Sequence, residues 1–446
     1  MTGVDVDVVV IGGGAAGIGA ALRAARGGHS VALFEKSTQH GCNTQVSSGS
    51  LAAAGTRWQR AVGIEDSPQQ QADDIVRESG DESTRQLVEA LCAVAPAYLE
   101  WLDGELGHSL ELGGDMRRHG MSVPRLHTDP ARSGGTALVR TLRSAIAADD
   151  RIAFVDGTPG VGLLSEGGRV VGAAVLQNGE RVEVRSHAVV LASDGFAANA
   201  DLLATYIPEA VDDVFQGVST STGDALAWAT ELGAATRCMT SFLGSGMVVP
   251  GYATRVNPSL PFRGALLVGL DGRRFVDEHE HGYSSLATVL RMLPGRRAVL
   301  VWDDVLHGPS LQSELMRESE RAGAFRRYAD AAALCAALGV DADAFATTVA
   351  GFVGWDEVTG TRRALAAPYW AAPLTSGILA TQGGLDIDTT GRVLRTDGSW
   401  IEGLYAAGGT AAGISGPSSR GYSSGNGLLH ALGLGWIIGN HLATNR

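Results

Sequence analysis

Only four cysteines, Cys42, Cys92, Cys238 and Cys335, are scattered over the 446 residues. Such spacing excludes a disulfide-built scaffold and supplies no metal-ligand set. A haem CxxCH, an iron–sulfur cysteine series, a second dinucleotide motif, internal repeats and low-complexity tails are missing too. Positive charge is in deficit: 35 Lys and Arg against 48 Asp and Glu leave a formal net charge of -13, which speaks against nucleic acid or an anionic membrane as the main partner. The opening MTGVDVDVVVIGGG has no basic leader or cleavage site, and the longer apolar runs are interrupted by Gly, Asp or Arg. These absences predict a soluble cytoplasmic protein, not an integral membrane one. What is plentiful is glycine, with 61 residues, and apolar side chains at 45%, enough for two or more cores.

The chain is organised around residues 4–35. VDVDVVVI reads as a buried strand, and Gly12, Gly14 and Gly17 follow as G-x-G-x-x-G. An Ala-rich amphipathic segment runs from Ala15 to Arg26, Gly27-Gly28 breaks it, and a second apolar run, Val31 to Phe34, ends at the acid Glu35. Together these form a βαβ unit. Gly12 makes the tight turn, Gly14 lets backbone approach a pyrophosphate, and Gly17 lets helix and strand pack closely. Glu35 lies where a carboxylate takes the adenosine ribose hydroxyls and repels a 2′-phosphate. An ADP-containing dinucleotide is therefore expected.

Residues 36–56, KSTQHGCNTQVSSGSLAAAGT, are small and polar enough to pass closely along a large flat ligand. With G-x-G-x-x-G, Glu35-Lys36, G-x-N-T, LASDGF at 191–196, STGDALAWATELGA at 221–234 and GLYAAGG at 403–409, the chain resembles the fumarate reductase and 3-ketosteroid dehydrogenase superfamily of FAD flavoproteins. The resemblance implies FAD instead of NAD, and an α/β Rossmann-type FAD-binding domain with an inserted α+β capping domain. Residues 1–236 and 374–446 fall to the first and 237–373 to the cap. As cofactor-binding candidates it implies Gly12, Gly14, Ala15, Ala16, Gly17, Glu35, Lys36, Asn43, Thr44, Ser48, Gly49, Ser193, Asp194, Asp224, Gly408, Asn426 and Leu428. Ser193-Asp194 replace the Thr-Gly usual at that strand end, and Asp224 either caps a helix or serves FAD.

Elsewhere, residues 66–107 have helical periodicity with Ile75, Val88, Leu91, Ala95, Leu99 and Leu102 inward, and Pro96 is expected to kink or divide the last stretch. Arg117, Arg118, His119, Arg125, His127 and Arg132 form a basic segment ahead of a helix starting near Thr136, read either as an anion site or as a solvated edge. Residues 152–190 read as a β-meander with a turn at Asn178-Gly179, 311–350 as helical, 354–360 as a loop, and the last helix as spanning about Gly427 to Leu442.

The chemistry rests on departures from the dicarboxylate enzymes. Arg274-Phe275-Val276-Asp277-Glu278 keeps their RFVNE strand, but Gly282 stands where the resemblance places the proton-delivering arginine. Leu379-Ala380 replace a histidine pair, and Arg420 is only a loose counterpart of a further arginine. Tyr283 and Tyr422 instead fall where the ketosteroid branch carries tyrosines. Desaturating a ketone needs a donor at the carbonyl, a base for the α-hydrogen and a hydride acceptor. Tyr422 or Tyr283 is the expected base, with Ser424 or backbone N–H groups near Gly425 and Asn426 at the carbonyl oxygen and His281 as a proton relay. Met247 and Tyr252 suggest an apolar ketone substrate. The expected function is FAD-dependent introduction of a C=C bond beside a ketone in a 3-oxosteroid-like molecule. A reductase of activated alkenes, a flavin oxidase and a nonenzymatic FAD-binding protein are the alternatives. The electron acceptor stays open among a quinone, a carrier protein and oxygen.

Overall fold

The computed structural model describes residues 4–113, 118–252 and 254–445. Along the chain, β1 (Val8–Ile11), α1 (Ala15–Arg26) and β2 (Val31–Phe34) come first. They are followed by the helices α2 (Pro68–Ser79) and α3 (Arg85–Gly104), and by β3 (Ile152–Val155) and β4 (Ala188–Leu191). The chain then passes through β5 (Phe242–Val248), β6 (Leu266–Gly269), α4 (Tyr283–Arg291), β7 (Ala298–Asp303) and β8 (Tyr369–Thr381). It finishes in β9 (Arg392–Leu394), β10 (Trp400–Ala406) and α5 (Asn426–Thr444).

The first sheet has the order β9-β10-β4-β1-β2-β3 and is parallel except for β9. Every side chain of β1, β2 and β4 is buried. Continuous apolar strands of this kind are stable only with both faces covered, and α1 and α5 pack together on one of them. The contact is close because it is lined by small residues: a Cβ on Gly435 would lie 2.5 Å from the Ala16 carbonyl oxygen. This is the α/β FAD-binding architecture that the resemblance implies.

Two cores are present. One gathers residues from β1 through Phe242 and again from Ile378 to Leu442; the other runs from Met247 to Leu374. Strand β8 belongs to both. Residues 369–374 pair with β7, and residues 375–381 pair with β5.

Several local expectations change. Residues 160–185 form the three-stranded meander, and Asn178 and Gly179 both have positive φ, as a tight hairpin turn requires. Residues 152–155, however, join the parallel sheet. Pro96 does not divide α3: Leu91, Ala95, Leu99 and Leu102 are all fully buried and hold its turns in line across the missing N–H. Residues 354–360 are not a plain loop, since Gly354–Asp356 pairs with Thr361–Arg363. The helix near Thr136 starts at Gly135, and the final helix begins at Asn426 and ends at Thr444.

Candidate active site and cofactor cradle

Strands β1, β2, β4 and β10 end at one edge of the parallel sheet, and the loops leaving them converge there. Gly12 has φ +115°, and a Cβ on it would lie 2.2 Å from the Ala192 carbonyl oxygen. Only glycine fits. A Cβ on Gly17 would come within 1.9 Å of the Gly12 oxygen. Gly14 is the N-cap of α1 and has no side chain of its own to cap it, which leaves backbone at this end accessible to an anion. Ala15 and Ala16 are buried in its first turn, and the Ala15 N–H donates to Thr44 Oγ1 at 3.2 Å. Glu35 accepts from the Gly13 N–H at 2.7 Å and the Ser37 N–H at 2.8 Å, which fixes its carboxylate beside the glycine turn.

Other sequence candidates pair with one another. Lys36 Nζ donates to Asp224 Oδ2 and Thr222 Oγ1, each at 2.9 Å. Asp224 is the first residue of a helix whose N-cap is Gly223, so it is not the capping residue; its carboxylate accepts from Lys36 and from Thr222 Oγ1 at 3.0 Å. Asp194, at φ +70°, accepts from Asn43, from Ser221 Oγ at 2.6 Å and from the Gly195 N–H at 2.9 Å. A carboxylate with these bonds is a brace between loops and not a free acid. Ser48 Oγ donates to Ser50 Oγ at 3.0 Å, Gly49 packs on the Gly134 backbone, and Gly408 turns at φ +61° against Ala16. Asn426 and Leu428 lie in the first turn of α5, both buried.

On the cap side, Glu278 accepts from the Leu267 N–H at 3.0 Å and pairs with Arg274, locking the RFVDE segment, which forms no strand beyond one bridge at Arg274, just before α4. Tyr283 is the first residue of α4. Its ring meets that of Tyr422 edge to face, with centroids 6.0 Å apart. Tyr422 Oη accepts from the Gly427 N–H at 3.3 Å, at the start of α5. Burial raises both phenols. The Tyr283 hydroxyl is pushed well above 10, with the neighbouring Tyr422 adding to the rise, whereas the bond from Gly427 pulls Tyr422 back down. Ser424 lies in the turn before α5 but does not cap it; the N-cap is Gly425. The hydroxyl tied down in this turn is that of the neighbouring Ser423, which donates to the His119 carbonyl at 2.8 Å. His281 is partly buried, and burial together with nearby His119 lowers its pKa.

The pattern of the FAD binding domain family matches residues 7–428. This chain belongs to that family. It is 29% identical over 450 residues to the NADH:fumarate oxidoreductase of Klebsiella pneumoniae (strain 342), covering 98% of this chain and 47% of that protein, so it spans about half of that relative's length. Its fold is shared with a flavocytochrome c3 fumarate reductase in an open conformation, with TM-score 0.82, 26% identity and coverage of 99% and 78% of the two chains. It is shared as well with 3-ketosteroid delta1-dehydrogenase from Sterolibacterium denitrificans, with TM-score 0.80, 21% identity and coverage of 99% and 100%. The chain is thus an FAD-dependent oxidoreductase, with FAD as its cofactor.

The flavoprotein's residues fit that cofactor. Beside the glycine cradle, Ser193 Oγ and Asn426 Nδ2 are buried without hydrogen-bond partners, one just past β4 and the other at the start of α5. Both hold unused bonding capacity at the sheet edge where a dinucleotide binds. Among the described residues no group of His, Cys, Asp and Glu could hold a metal ion, and no helix is long and apolar enough to cross a membrane.

The basic segment divides by role. Arg125 is buried and braced by Asp66 at 2.7 Å and by Asp74. His127, held by Thr56 Oγ1 at 2.8 Å, is kept neutral by burial down to about pH 4. His119 pairs with Glu78 at 2.6 Å and Arg132 reaches Glu111 at 3.5 Å. Arg117 lies outside the described residues. Arg118 stays near the tyrosines with Nη1 buried and unpartnered. Arg255, which no motif flags, is electrostatically coupled to both Tyr283 and Tyr422. Met247 packs in the second core and Tyr252 packs against it, which gives both a structural explanation. Arg420 is exposed, so the dicarboxylate clamp has no buried arginine from that loop.

Proposed function

We propose that the flavoprotein introduces a C=C bond next to the carbonyl of a cyclic, largely apolar ketone of 3-oxosteroid type. The observation that carries this is the meeting of Tyr283 and Tyr422 at the starts of α4 and α5. Bound FAD supplies a two-electron acceptor. The protein's own work is then to remove an α-proton and hold the carbonyl. Tyr422 is the better base: its oxygen already receives the Gly427 N–H, and the Tyr283 hydroxyl supports the phenolate. Tyr283 backs it from the cap, Ser424 stands in the adjoining turn to polarise the carbonyl, and His281, neutral near pH 7, suits a proton relay. On this reading the cofactor-binding set named from sequence holds the FAD. Cytoplasmic residence and an acceptor among quinone, carrier protein and oxygen complete the reading.

The opposite direction, reduction of an activated alkene, is favoured by the named sequence relative. Against a small dicarboxylate stand Gly282 at the arginine position and the exposure of Arg420. Anaerobic mixing with saturated cyclic ketones tests the direction. Bleaching of the flavin absorbance supports desaturation; no bleaching with any ketone, together with reoxidation of the reduced protein by enones, overturns it.

A further inference from the structure

Two deeply buried guanidiniums in this chain are answered by carboxylates: Arg125 by Asp66 and Asp74, Arg291 by Asp213. Arg118 and Arg255 differ. Among the described residues neither side chain has an ion pair or a hydrogen bond, and Nη1 of Arg118 is buried without a partner. Glu357, the acid whose charge reaches Arg118, is already engaged by His279 Nδ1 at 3.2 Å. Both arginines sit on segments folded around the tyrosine pair. Arg118 precedes His119, whose Cδ2 lies 3.5 Å from where a Gly282 Cβ would be and whose carbonyl holds Ser423. Arg255 lies where the loop after β5 returns to bridge Val248, its carbonyl fixed by Ser319 Oγ at 2.9 Å. The Arg255 charge acts on Tyr283 and Tyr422, and that of Arg118 on Tyr283. Both charges thus reach Tyr283 with no carboxylate among the described residues paired to either guanidinium, which leaves positive charge there for an anion that arrives with the ligand.

We propose that Arg118 and Arg255 form a carboxylate-binding subsite beside the Tyr283–Tyr422 pair, and that the substrate is a cyclic ketone bearing a carboxylate. The substrate class rests on the desaturase reading above; the subsite itself does not. Planar guanidinium forks suit a carboxylate held through paired hydrogen bonds. The subsite is separate from the dicarboxylate clamp, whose positions are taken here by Gly282 and the exposed Arg420.

The test titrates the FAD-loaded protein with cyclohexanecarboxylate and, separately, cyclohexanecarboxamide, read by calorimetry and by flavin difference spectra. The acid is expected to bind roughly 10- to 100-fold more tightly than the amide. R118M and R255M should each lose most of that preference, and R118K and R255K should restore part of it at unchanged FAD content. In turnover, 4-oxocyclohexanecarboxylate should outperform 4-methylcyclohexanone, and the Met variants should raise KM for the acid more than they lower kcat. Equal binding of acid and amide overturns the subsite. So does a pair of Met variants that keep acid affinity and only displace the tyrosine pH profile, which would assign the arginines to phenol ionisation. If Y422F and Y283F keep full turnover while acid binding still requires the arginines, the subsite stands and the tyrosine chemistry falls.

Discussion

Tyr422 is buried and Tyr283 half-buried, and it is the Tyr422 oxygen that receives a backbone N–H. That N–H comes from Gly427, and with Tyr283 beside it the ionised form is favoured at Tyr422, so the phenolate settles there. Y422F should therefore retain FAD and lower kcat by about 10²- to 10⁴-fold, the range of one acid–base group, measured by single-turnover flavin bleaching. The rate should rise with pH as the Tyr422 phenol ionises. Y283F removes the neighbouring hydroxyl that favours the phenolate and should move that rise to higher pH; an unmoved or lowered profile contradicts the assignment. Both tyrosines were picked out in the sequence by the resemblance to the ketosteroid branch, through their places after RFVDE and before the last helix. Arg255 was not. It lies in an irregular loop with no periodicity or motif, and only the fold shows that no carboxylate answers it.

Among the elements, the β1–α1 turn was the most legible, because its constraint is steric and local. G12A would force a Cβ to 2.2 Å from a backbone oxygen at φ +115°. Purified G12A should carry little or no flavin absorbance, whereas substituting Gly63, also at positive φ but with nothing within 4 Å, should leave FAD loading intact. The brace formed by Arg125 with Asp66 and Asp74 ties the strand Leu126–Thr128 to α2 and the loop before it. From sequence it was one cation among six, since its carboxylate partners are 59 and 51 residues away. R125M strands two buried carboxylates and should cost about 3–5 kcal/mol in urea unfolding. The hairpin at 354–363 escaped notice for a different reason: three-residue strands are too short to show alternation.

At the scale of the whole molecule, the sharing of β8 between both cores predicts coupled unfolding, a single calorimetric transition for the FAD-loaded protein. Its pH dependence follows from His127 and His430, which burial keeps neutral down to about pH 4 in the folded chain, against 6.5 ordinarily. The unfolded chain binds those protons more readily. Stability is therefore full above about pH 6.5 and declines as pH falls from 6.5 towards 4, by up to about 3 kcal/mol per histidine. Thermal melts across that window should show the fall, and H127Q should flatten part of it. One consequence remains in the pairing of Lys36 with Asp224 and Thr222. Lys36 is the sole lysine of the sequence; every other basic side chain of the Lys and Arg class is arginine. An amine-directed acylating dye can thus label only one side chain, apart from any terminal amine, and that side chain sits at the tip of β2. Covalent tagging becomes a single-address report on the cradle loop.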